Sequence, residues 1–380
     1  SGDRLEGLEL ARQAFYQGSI AQTIAESAQR VGGILGLEDL AGYRSQFGEP
    51  TKTEFQGYEV CGHRTWTQGP MLMQTLNMLD GYDLKSMGHN SPAYIHTLTE
   101  ALKLAFADRE AYYGDPDYAP VPLGGLLSKE YAATRAALID ASRACPEMPS
   151  HGDPWIYSKE SGRESGRWSS SPVPVKTGGG EGDDSSGEGG TTHVSVLDRE
   201  GNMICGTISG GSFSKSVFFP ELGCALSTRI EMFNCEEGHP NVVEPGKRPR
   251  TTLVNYLVCK DGQPLMTMGC PGGDDQVQAN LQILLNYLIF GMNPQEAVEA
   301  PRFGSHSHPD SFYPHVYHPG KLRLEPTIAE TTAQALRNLG HQVDRTQYCG
   351  AGATLCVRDS ETKVLSAGGD PRRASYALGW

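Results

Sequence analysis

The sequence Gly189-Gly190-Thr191-Thr192-His193 stands where a polar tract gives way to an alternating stretch that runs from Thr192 to Asp198. Alternation of this kind predicts a β-strand, because successive side chains of a strand point to opposite faces. If the peptide bond after Gly190 is cut, Thr191 becomes a chain terminus that carries a hydroxyl nucleophile and an amine base on one residue. The stretch therefore predicts a self-cleaving amide hydrolase.

Self-cleavage requires the Thr191 hydroxyl to attack the carbonyl carbon of Gly190, and glycine there removes the side chain that would obstruct a bent peptide. The N-to-O acyl shift leaves an ester that water hydrolyses. The freed α-amino group has a reference pKa of roughly 7.7 to 8.0, so near neutral pH it can take the proton of its own hydroxyl. Threonine pairs also begin ordinary strands, and the dipeptide alone favours that plain interpretation. The polar tract before the pair and the motifs after it favour the interpretation of Thr191 as a nucleophile instead.

The composition favours small-molecule chemistry. The 380 residues can bury a substantial core, and 38% of them are hydrophobic, without an apolar run of about 18 residues that could span a membrane. The net charge of -13 disfavours nucleic acid, which binds basic stripes. Nine cysteines without a CxxC pair indicate neither a zinc site nor a disulfide framework, and they favour a cytoplasmic location over a periplasmic or secreted one.

The histidines do not predict a metal centre, and we expect neither metal nor cofactor. His63, His89 and His193 lie near motifs that matter below, but none has HxxxH or HxxE spacing. We interpret His193 as a strand residue and His306 and His308 as solvated loop residues.

The pattern of apolar residues predicts helices around paired strands. The clearest helix is Tyr94 to Tyr112, where apolar residues recur at three and four positions, and further helices are expected from Pro70 to Leu79 and from Gln276 to about Phe290. Hairpins are predicted for Thr192–Leu197 with Met203–Ile208, and for Tyr256–Cys259 with Leu265–Met268. We therefore expect an α+β fold, arranged as a four-layer αββα sandwich with antiparallel sheets.

The sequence resembles the γ-glutamyltranspeptidase family of N-terminal-nucleophile hydrolases in an ordered series of motifs along most of its length. These motifs are Glu38-Asp39-Leu40, Gly57-Tyr58-Glu59-Val60, Gly81-Tyr82-Asp83-Leu84, Gly88-His89-Asn90-Ser91, Phe106-Ala107-Asp108-Arg109, Thr191-Thr192-His193, Glu244-Pro245-Gly246-Lys247-Arg248-Pro249, Pro271-Gly272-Gly273, Gly291-Met292-Asn293, Ala300-Pro301-Arg302-Phe303 and Asp370-Pro371-Arg372-Arg373.

The resemblance implies a role for each matched site residue. Thr191 corresponds to the nucleophile, with autocleavage after Gly190, and Ser209 to the family's second threonine, which hydrogen-bonds the nucleophile. Gly272 and Gly273 correspond to the double glycine whose amides stabilise the oxyanion. Glycines let a backbone approach a substrate closely, and a following helix adds amides and the positive end of its dipole.

The substrate pocket matches the family less closely. Thr251 and Thr252 correspond to adjacent hydroxyl residues that hold the glutamyl α-carboxylate. The acidic residue for the α-amino group falls on Met232 and a neutral amide on Arg229, although a register shift of one would bring Glu231 into the acidic position. Methionine is a poor acceptor for an ammonium, whereas arginine offers a bidentate clamp for a carboxylate.

This pattern leaves three functions open. The first is a γ-glutamyltransferase or hydrolase. The second is a hydrolase of a small acidic amide without the α-amino group, because Ser227-Thr228-Arg229, Arg250-Thr251-Thr252 and Asp274-Asp275-Gln276 are similar to the oxamate-amidohydrolase branch. The third is an uncleaved relative that binds a ligand without catalysis. Arg229 could also serve in a structural ion pair.

The resemblance implies the organisation of the chain. Residues 1–157 correspond to the large subunit without the family's N-terminal segment, which supplies an arginine for the substrate carboxylate. Residues 158–190 form a polar linker that ends at the cleavage site, and 191–380 form the small catalytic subunit, all within one αββα domain. We expect a small acidic amide as substrate, water or an amine as acceptor, and a heterodimer of self-cleaved subunits.

Overall fold

The computed structural model describes residues 3–159, 190–212, 215–350 and 352–380. The predicted linker, 158–190, lies outside these ranges except at its two ends. The chain divides into two compact units. One comprises Ser1–Glu49 with Gly210–Thr228, and the other comprises Pro50–Ser209 with Arg229–Trp380.

The helices are numbered along the chain. They are α1 (Arg4–Tyr16), α2 (Ser19–Arg30), α3 (Leu37–Gly42), α4 (Pro70–Leu79), α5 (Leu84–Met87), α6 (Pro92–Tyr112), α7 (Leu123–Leu126), α8 (Lys129–Ala136), α9 (Asp275–Leu288), α10 (Pro294–Glu299) and α11 (Glu330–Asn338). The three helices predicted above are confirmed as α4, α6 and α9. Within the described ranges, no helix combines the length and apolar character that a membrane crossing needs.

The strands are likewise numbered along the chain. They are β1 (Thr51–Phe55), β2 (Tyr58–Gly62), β3 (Thr192–Leu197), β4 (Met203–Ile208), β5 (Phe218–Phe219), β6 (Cys224–Ala225), β7 (Tyr256–Lys260), β8 (Gln263–Gly269), β9 (Phe303–Ser305), β10 (Lys321–Leu324), β11 (Gln342–Arg345), β12 (Thr354–Arg358) and β13 (Leu365–Gly369). Both predicted hairpins are confirmed, as β3–β4 and β7–β8.

The larger unit is built on a six-stranded sheet in the order β1-β2-β7-β8-β12-β13, with every neighbouring pair antiparallel. This confirms an antiparallel α+β architecture. The separate sheet β11-β10-β9 departs from it, because β10 and β11 pair in parallel. Helix α11 lies between these two strands in the sequence, and a crossover of this kind allows parallel pairing.

Helix α6 lies in the middle of the helical layer. The Ser91 side chain caps it by accepting from Tyr94 N at 3.1 Å, and Pro92 takes the first turn, where a missing N–H costs nothing. Most of its residues are buried, including Leu98 and Phe106. These side chains share one apolar core with residues of α4, α9 and the six-stranded sheet.

Strand β8 shows why the larger unit has a sheet buried on both faces. Met266 and Met268 belong to the core that faces the helices, and the residues that alternate with them along the strand point to the opposite face of the sheet. On that opposite side the His193 ring of β3 lies directly against the backbone of Gly269, where any added Cβ would overlap it. The hairpin β3–β4 therefore packs over the sheet as a second β-layer.

The smaller unit contains α1, α2 and α3 together with the short pair β5–β6. Its clearest polar contact joins α2 to the turn between β5 and β6, where Ser27 Oγ donates to Glu221 Oε1 at 2.6 Å. Arg30 forms an ion pair with the same carboxylate.

Candidate active site

Thr191 and Ser209 flank the open end of the β3–β4 hairpin. Thr192 pairs with Ile208, so continuing this register by one residue sets Thr191 opposite Ser209. The Thr191 hydroxyl donates to Ser209 Oγ at 2.8 Å. Gly190, immediately before, is exposed, whereas Thr191 is half-buried. The structure thus brings together two hydroxyls that lie 18 residues apart in the sequence.

The direction of the hairpin places these hydroxyls at one end of the six-stranded sheet. Gly201 in the hairpin turn lies next to Pro264 at the start of β8, while His193 lies against Gly269 at its end. Thr191 is therefore at the end of β8 that leads into Pro271-Gly272-Gly273.

A chain of polar groups fastens β3 and β4 to the sheet beneath them. His193 Nδ1 lies 2.8 Å from Thr207 Oγ1, and Thr207 Oγ1 donates to Val254 O at 2.9 Å. Asn255 Oδ1 accepts from the same hydroxyl, and Asn255 Nδ2 lies 3.2 Å from His63 Nε2. Burial lowers the pKa of His193 to about 4, so its ring is neutral near pH 7. His193 accordingly supports the strand that follows Thr191 as a neutral hydrogen-bonding group.

The double glycine adopts backbone conformations that side-chain-bearing residues rarely take. The φ angle is +127° at Gly272 and +55° at Gly273. Their carbonyls accept from the amides of Asp275 and Gln276 at 2.9 and 3.2 Å, at the start of α9. Neither glycine amide donates to an acceptor within the described residues. Two backbone donors at a helix N-terminus are thus available to a developing negative charge.

Buried side chains hold this turn from below. Gln68 Nε2 donates to Gly273 O at 3.0 Å, and Arg109 in turn donates to Gln68 Oε1 at 3.2 Å. Arg109 also pairs with Asp274, which accepts from Ser311 N and Oγ at 2.8 and 2.7 Å. Burial alone would raise the pKa of Asp274, but the Arg109 guanidinium holds it well below its ordinary value. The ion pair is therefore charged, and it fixes the residue directly after the double glycine.

Thr251 and Thr252 lie beside the same turn. One amide group, Gln68 Nε2, donates to both Thr252 O at 2.9 Å and Gly273 O. The Thr251 hydroxyl accepts from Leu253 N at 3.0 Å, whereas the buried Thr252 hydroxyl has no hydrogen-bond partner among the described residues. The Thr252 hydroxyl is thus a buried polar group that the internal hydrogen bonds of the described residues leave unused.

The Phe312 ring lies between Arg229 and the double glycine. Its guanidinium carbon lies 5.8 Å from the centre of the Phe312 ring, and that ring lies 3.5 Å from where a Cβ on Gly273 would stand. Nη1 of Arg229 donates to Met232 Sδ at 3.0 Å. Burial lowers the pKa of Arg229 to about 10, and the nearby Glu231 carboxylate opposes this shift. Arg229 remains a cation near pH 7.

Met232 and Glu231 occupy different environments within one short 3₁₀ turn, Arg229–Met232. Met232 is completely buried, while Glu231 is partly exposed and its carbonyl accepts from Tyr313 N at 3.0 Å. The thioether thus accepts a hydrogen bond from Arg229, and the carboxylate of Glu231 interacts with the guanidinium through charge.

Sequence reasoning missed the support beneath the turn and misjudged one histidine. Gln68, Arg109 and Ser311 received no role, although Arg109 belongs to a quoted motif. The interpretation of His308 as a solvated loop residue is wrong, since only 3% of it is exposed. Its ring stacks on Phe106 with 3.6 Å between centres, because the loop that carries it crosses over α6. A periodicity analysis does not detect such loop packing.

Comparisons with known proteins identify the family of the chain. The family model for Gamma-glutamyltranspeptidase matches residues 5–380. The glutathione hydrolase proenzyme of Escherichia coli (strain K12) is 31% identical over 371 residues, which cover 94% of this chain and 57% of that protein. This chain therefore spans a little over half the length of that relative.

Two solved structures share the fold over nearly the whole chain. LmbA2991HD matches with a TM-score of 0.87 and 36% identity, covering 100% of this chain and 65% of its own. The cephalosporin acylase from Bacillus halodurans matches with a TM-score of 0.77 and 28% identity, covering 97% of this chain and 60% of its own.

Proposed function

The chain belongs to the gamma-glutamyltranspeptidase family, and we propose that it is a self-processing amide hydrolase or acyltransferase whose nucleophile is Thr191. The observation that carries this proposal is the 2.8 Å contact between the Thr191 and Ser209 hydroxyls, directly after Gly190. The relative from Escherichia coli is a proenzyme, as self-processing would require.

The processing step follows from the groups at this end of the hairpin. Thr191 Oγ1 attacks the carbonyl carbon of Gly190 as its proton leaves through the Ser209 hydroxyl or water. The C–N bond then breaks, the proton goes to the departing amine, and an ester joins Gly190 to Thr191. Water hydrolyses this ester, so the products are a carboxylate on Gly190 and a free amine on Thr191.

The same hydroxyl then serves in turnover. The α-amine of Thr191 takes the hydroxyl proton, the oxygen attacks the substrate amide, and the amine leaving group receives the proton. The amides of Gly272 and Gly273 would stabilise the tetrahedral oxyanion, and removing one such donor typically costs about 3 to 4 kcal/mol. Water or an amine then takes the acyl group from Thr191.

The substrate we propose is a small amide with a carboxylate. Arg229 is a largely buried cation that packs on one side of the Phe312 ring, which lies next to Gly273, and a guanidinium can bind a carboxylate with two parallel hydrogen bonds. The backbone of Thr252 is tied to the same turn through Gln68, and the hydroxyls of Thr251 and Thr252 are candidates for neutral donors. Charge and hydroxyls together favour an acidic acyl group.

Two acyl groups fit this description, and Met232 distinguishes them. A γ-glutamyl group carries an α-ammonium that needs an acceptor, which Glu231 would have to supply. Met232 is buried against Arg229 and offers only a weak sulfur acceptor. The second candidate substrate is therefore an acidic amide without the α-amino group, which needs no acceptor at Met232. The cephalosporin acylase among the structural relatives is a precedent for amides other than γ-glutamyl amides.

We also propose the four-layer arrangement and the division into subunits at Gly190. The outward face of the β3–β4 hairpin carries exposed apolar side chains at Val194, Val196, Ile204 and Ile208, 46–65% exposed. Such a face is expected of a sheet that a further helical layer covers.

Mass spectrometry of the purified protein tests the proposal. We expect fragments 1–190 and 191–380 from the unaltered chain, an intact Thr191→Ala variant, and cleavage of the Thr191→Ser control, which keeps a hydroxyl. A threonine-directed electrophile should then label Thr191 on the new terminus. Cleavage that is identical in Thr191→Ala, or a chain that stays intact and unlabelled, would instead support a non-catalytic binding protein.

A further inference from the structure

A cluster of metal-ligand side chains lies in the helical layer, away from the proposed active site. His96 and Glu100 are one turn apart on α6, and His341 stands between α11 and β11. One ring nitrogen of each histidine and one oxygen of Glu100 all lie within 4.8 Å of one another. All three residues are buried, with 6% exposure or less. Along α6, at 1.5 Å per residue, Glu100 is about 14 Å and His96 about 20 Å from Arg109.

The hydrogen bonds of His96 leave one ring nitrogen with a lone pair for a metal. Its Nε2 lies 2.8 Å from Asp140 O, and a carbonyl can only accept, so this nitrogen carries the proton. Nδ1 is then the acceptor, and it faces His341 Nε2 at 2.8 Å. A histidine whose second nitrogen is anchored to a backbone carbonyl is oriented as metal ligands usually are.

His341 is incompletely satisfied by this contact. Since its Nε2 donates to His96, its Nδ1 holds a lone pair, and within the described residues this buried nitrogen has no hydrogen-bond partner. A histidine pair that served only to connect two segments would be expected to use its buried polar atoms. A change of tautomer that moves the proton of His341 to Nδ1 would leave the lone pairs of His341 Nε2 and His96 Nδ1 facing each other, as a metal ion bound between the two rings requires.

Glu100 brings the negative charge that a dication needs. Its Oε2 accepts from Cys145 N at 3.0 Å, which fixes the carboxylate. Its Oε1 accepts from Lys103 Nζ at 2.7 Å, and the same ammonium donates to Cys145 O at 2.7 Å. Lys103 thus neutralises Glu100 at present, and it would compete with a bound cation.

We propose that His96, Glu100 and His341 form a binding site for a divalent transition-metal ion, with Zn²⁺ as the reference ion. Two imidazoles and one carboxylate suit zinc, which binds histidine nitrogen at about 2.0 to 2.1 Å and carboxylate oxygen at similar distances. In tetrahedral coordination, Nδ1 of His96 and Nε2 of His341 would lie about 3.3 Å apart, slightly further than in their present contact. A fourth ligand would come from water.

The ion would fasten α6 to the connection between α11 and β11. His341 N already donates to Leu336 O at 3.1 Å at the end of α11, and Ala144 N donates to Leu339 O at 2.7 Å nearby. A bound ion adds bonds between segments that are far apart in the sequence and absent from the unfolded chain. Metal binding should therefore stabilise the folded state.

Calorimetric titration with zinc chloride tests the site on the full chain after treatment with a chelator and dialysis. We expect one zinc ion per chain and a higher melting temperature in the presence of zinc. Glu100→Gln and His341→Gln should each weaken binding by about tenfold or more, whereas the His318→Gln control should bind as the unaltered protein does. Lys103→Met removes the competing ammonium and should tighten binding.

The shift in melting temperature caused by zinc is compared within each variant, so a variant that is less stable without metal remains informative. The cobalt(II) absorption spectrum gives a second measurement, because tetrahedral coordination by nitrogen and oxygen produces intense visible bands. Absence of binding to the unaltered chain would overturn the proposal. So would binding that Glu100→Gln and His341→Gln leave unchanged, since the ion would then be bound elsewhere in the protein.

Discussion

Thr191 Oγ1 and Ser209 Oγ lie 2.8 Å apart because the register of the β3–β4 hairpin places their residues opposite each other. This relationship depends on the backbone ladder, which runs from Thr192–Ile208 to Leu197–Met203. The ladder in turn is fixed to the six-stranded sheet by His193 and Thr207. The position of the proposed nucleophile is therefore determined by strand packing.

Replacing Ser209 tests whether the second hydroxyl assists the first. We expect Ser209→Ala to slow the appearance of fragments 1–190 and 191–380 by about tenfold, the effect of losing one hydrogen bond of about 1.4 kcal/mol. Ser209→Thr keeps the hydroxyl and should cleave at a similar rate. The measurement is a time course by mass spectrometry, with Ser366→Ala on the exposed part of β13 as control. An unchanged rate in Ser209→Ala would show that the contact has no role in processing.

Replacing Arg229 tests the proposed specificity for acidic amides. Arg229→Gln removes the cation, so we expect KM for an amide that carries a carboxylate to rise by about tenfold or more while kcat changes less. Arg229→Lys should recover only part of the loss, since an ammonium cannot form the paired hydrogen bonds. The comparison substrate is the same amide with its carboxylate esterified. Equal losses on both substrates would indicate that Arg229 supports the fold and does not recognise charge.

Removing the charge of Asp274 should destabilise the protein as a whole. Among the described residues, Asp274→Asn leaves the fully buried Arg109 with Glu110 as its one remaining ionic partner, and breaking a buried pair typically costs about 3 to 5 kcal/mol. The free energy of unfolding is measured by urea denaturation. The control is Asp80→Asn, which breaks the exposed pair with Lys129 and should cost about 1 kcal/mol or less. A loss in Asp274→Asn no larger than in the control would contradict the argument.

The strands and the long helices could be predicted from the sequence because their signals are local. Thr192–Leu197 alternates, and Tyr94–Tyr112 repeats at helical spacing, so each element can be recognised within its own segment. Pro271-Gly272-Gly273 could likewise be recognised as a break before a helix. The structure adds that both glycines have positive φ angles.

The contacts that hold the double-glycine turn, and the proposed metal site, could not be predicted from local sequence patterns. Arg109 contacts Gln68 and Asp274 across 41 and 165 residues of sequence, and no local pattern encodes those contacts. The spacing of His96 and Glu100 is visible on a helix, but an isolated His-Glu pair is common. Only the fold brings His341 to it.

The neutral state of His193 predicts a specific dependence of stability on pH. Burial lowers the pKa of His193 to about 4 in the folded chain, whereas an unfolded histidine titrates near 6.5. Between these values the unfolded chain binds the extra proton, so the contribution of His193 is present above pH 6.5 and is lost as the pH falls toward 4. The full shift corresponds to about 3 kcal/mol, which we reduce to about 2 kcal/mol because the ring keeps some contact with solvent.

Urea denaturation of the unaltered chain and of His193→Gln at pH 7, 5.5 and 4.5 measures this difference. We expect His193→Gln to be less stable at pH 7 and to lose less stability on acidification, while His318→Gln, at a partly exposed site, should change the slope less. Parallel losses in all three proteins would mean that the His193 ring is already protonated, or reaches water freely, in the folded state.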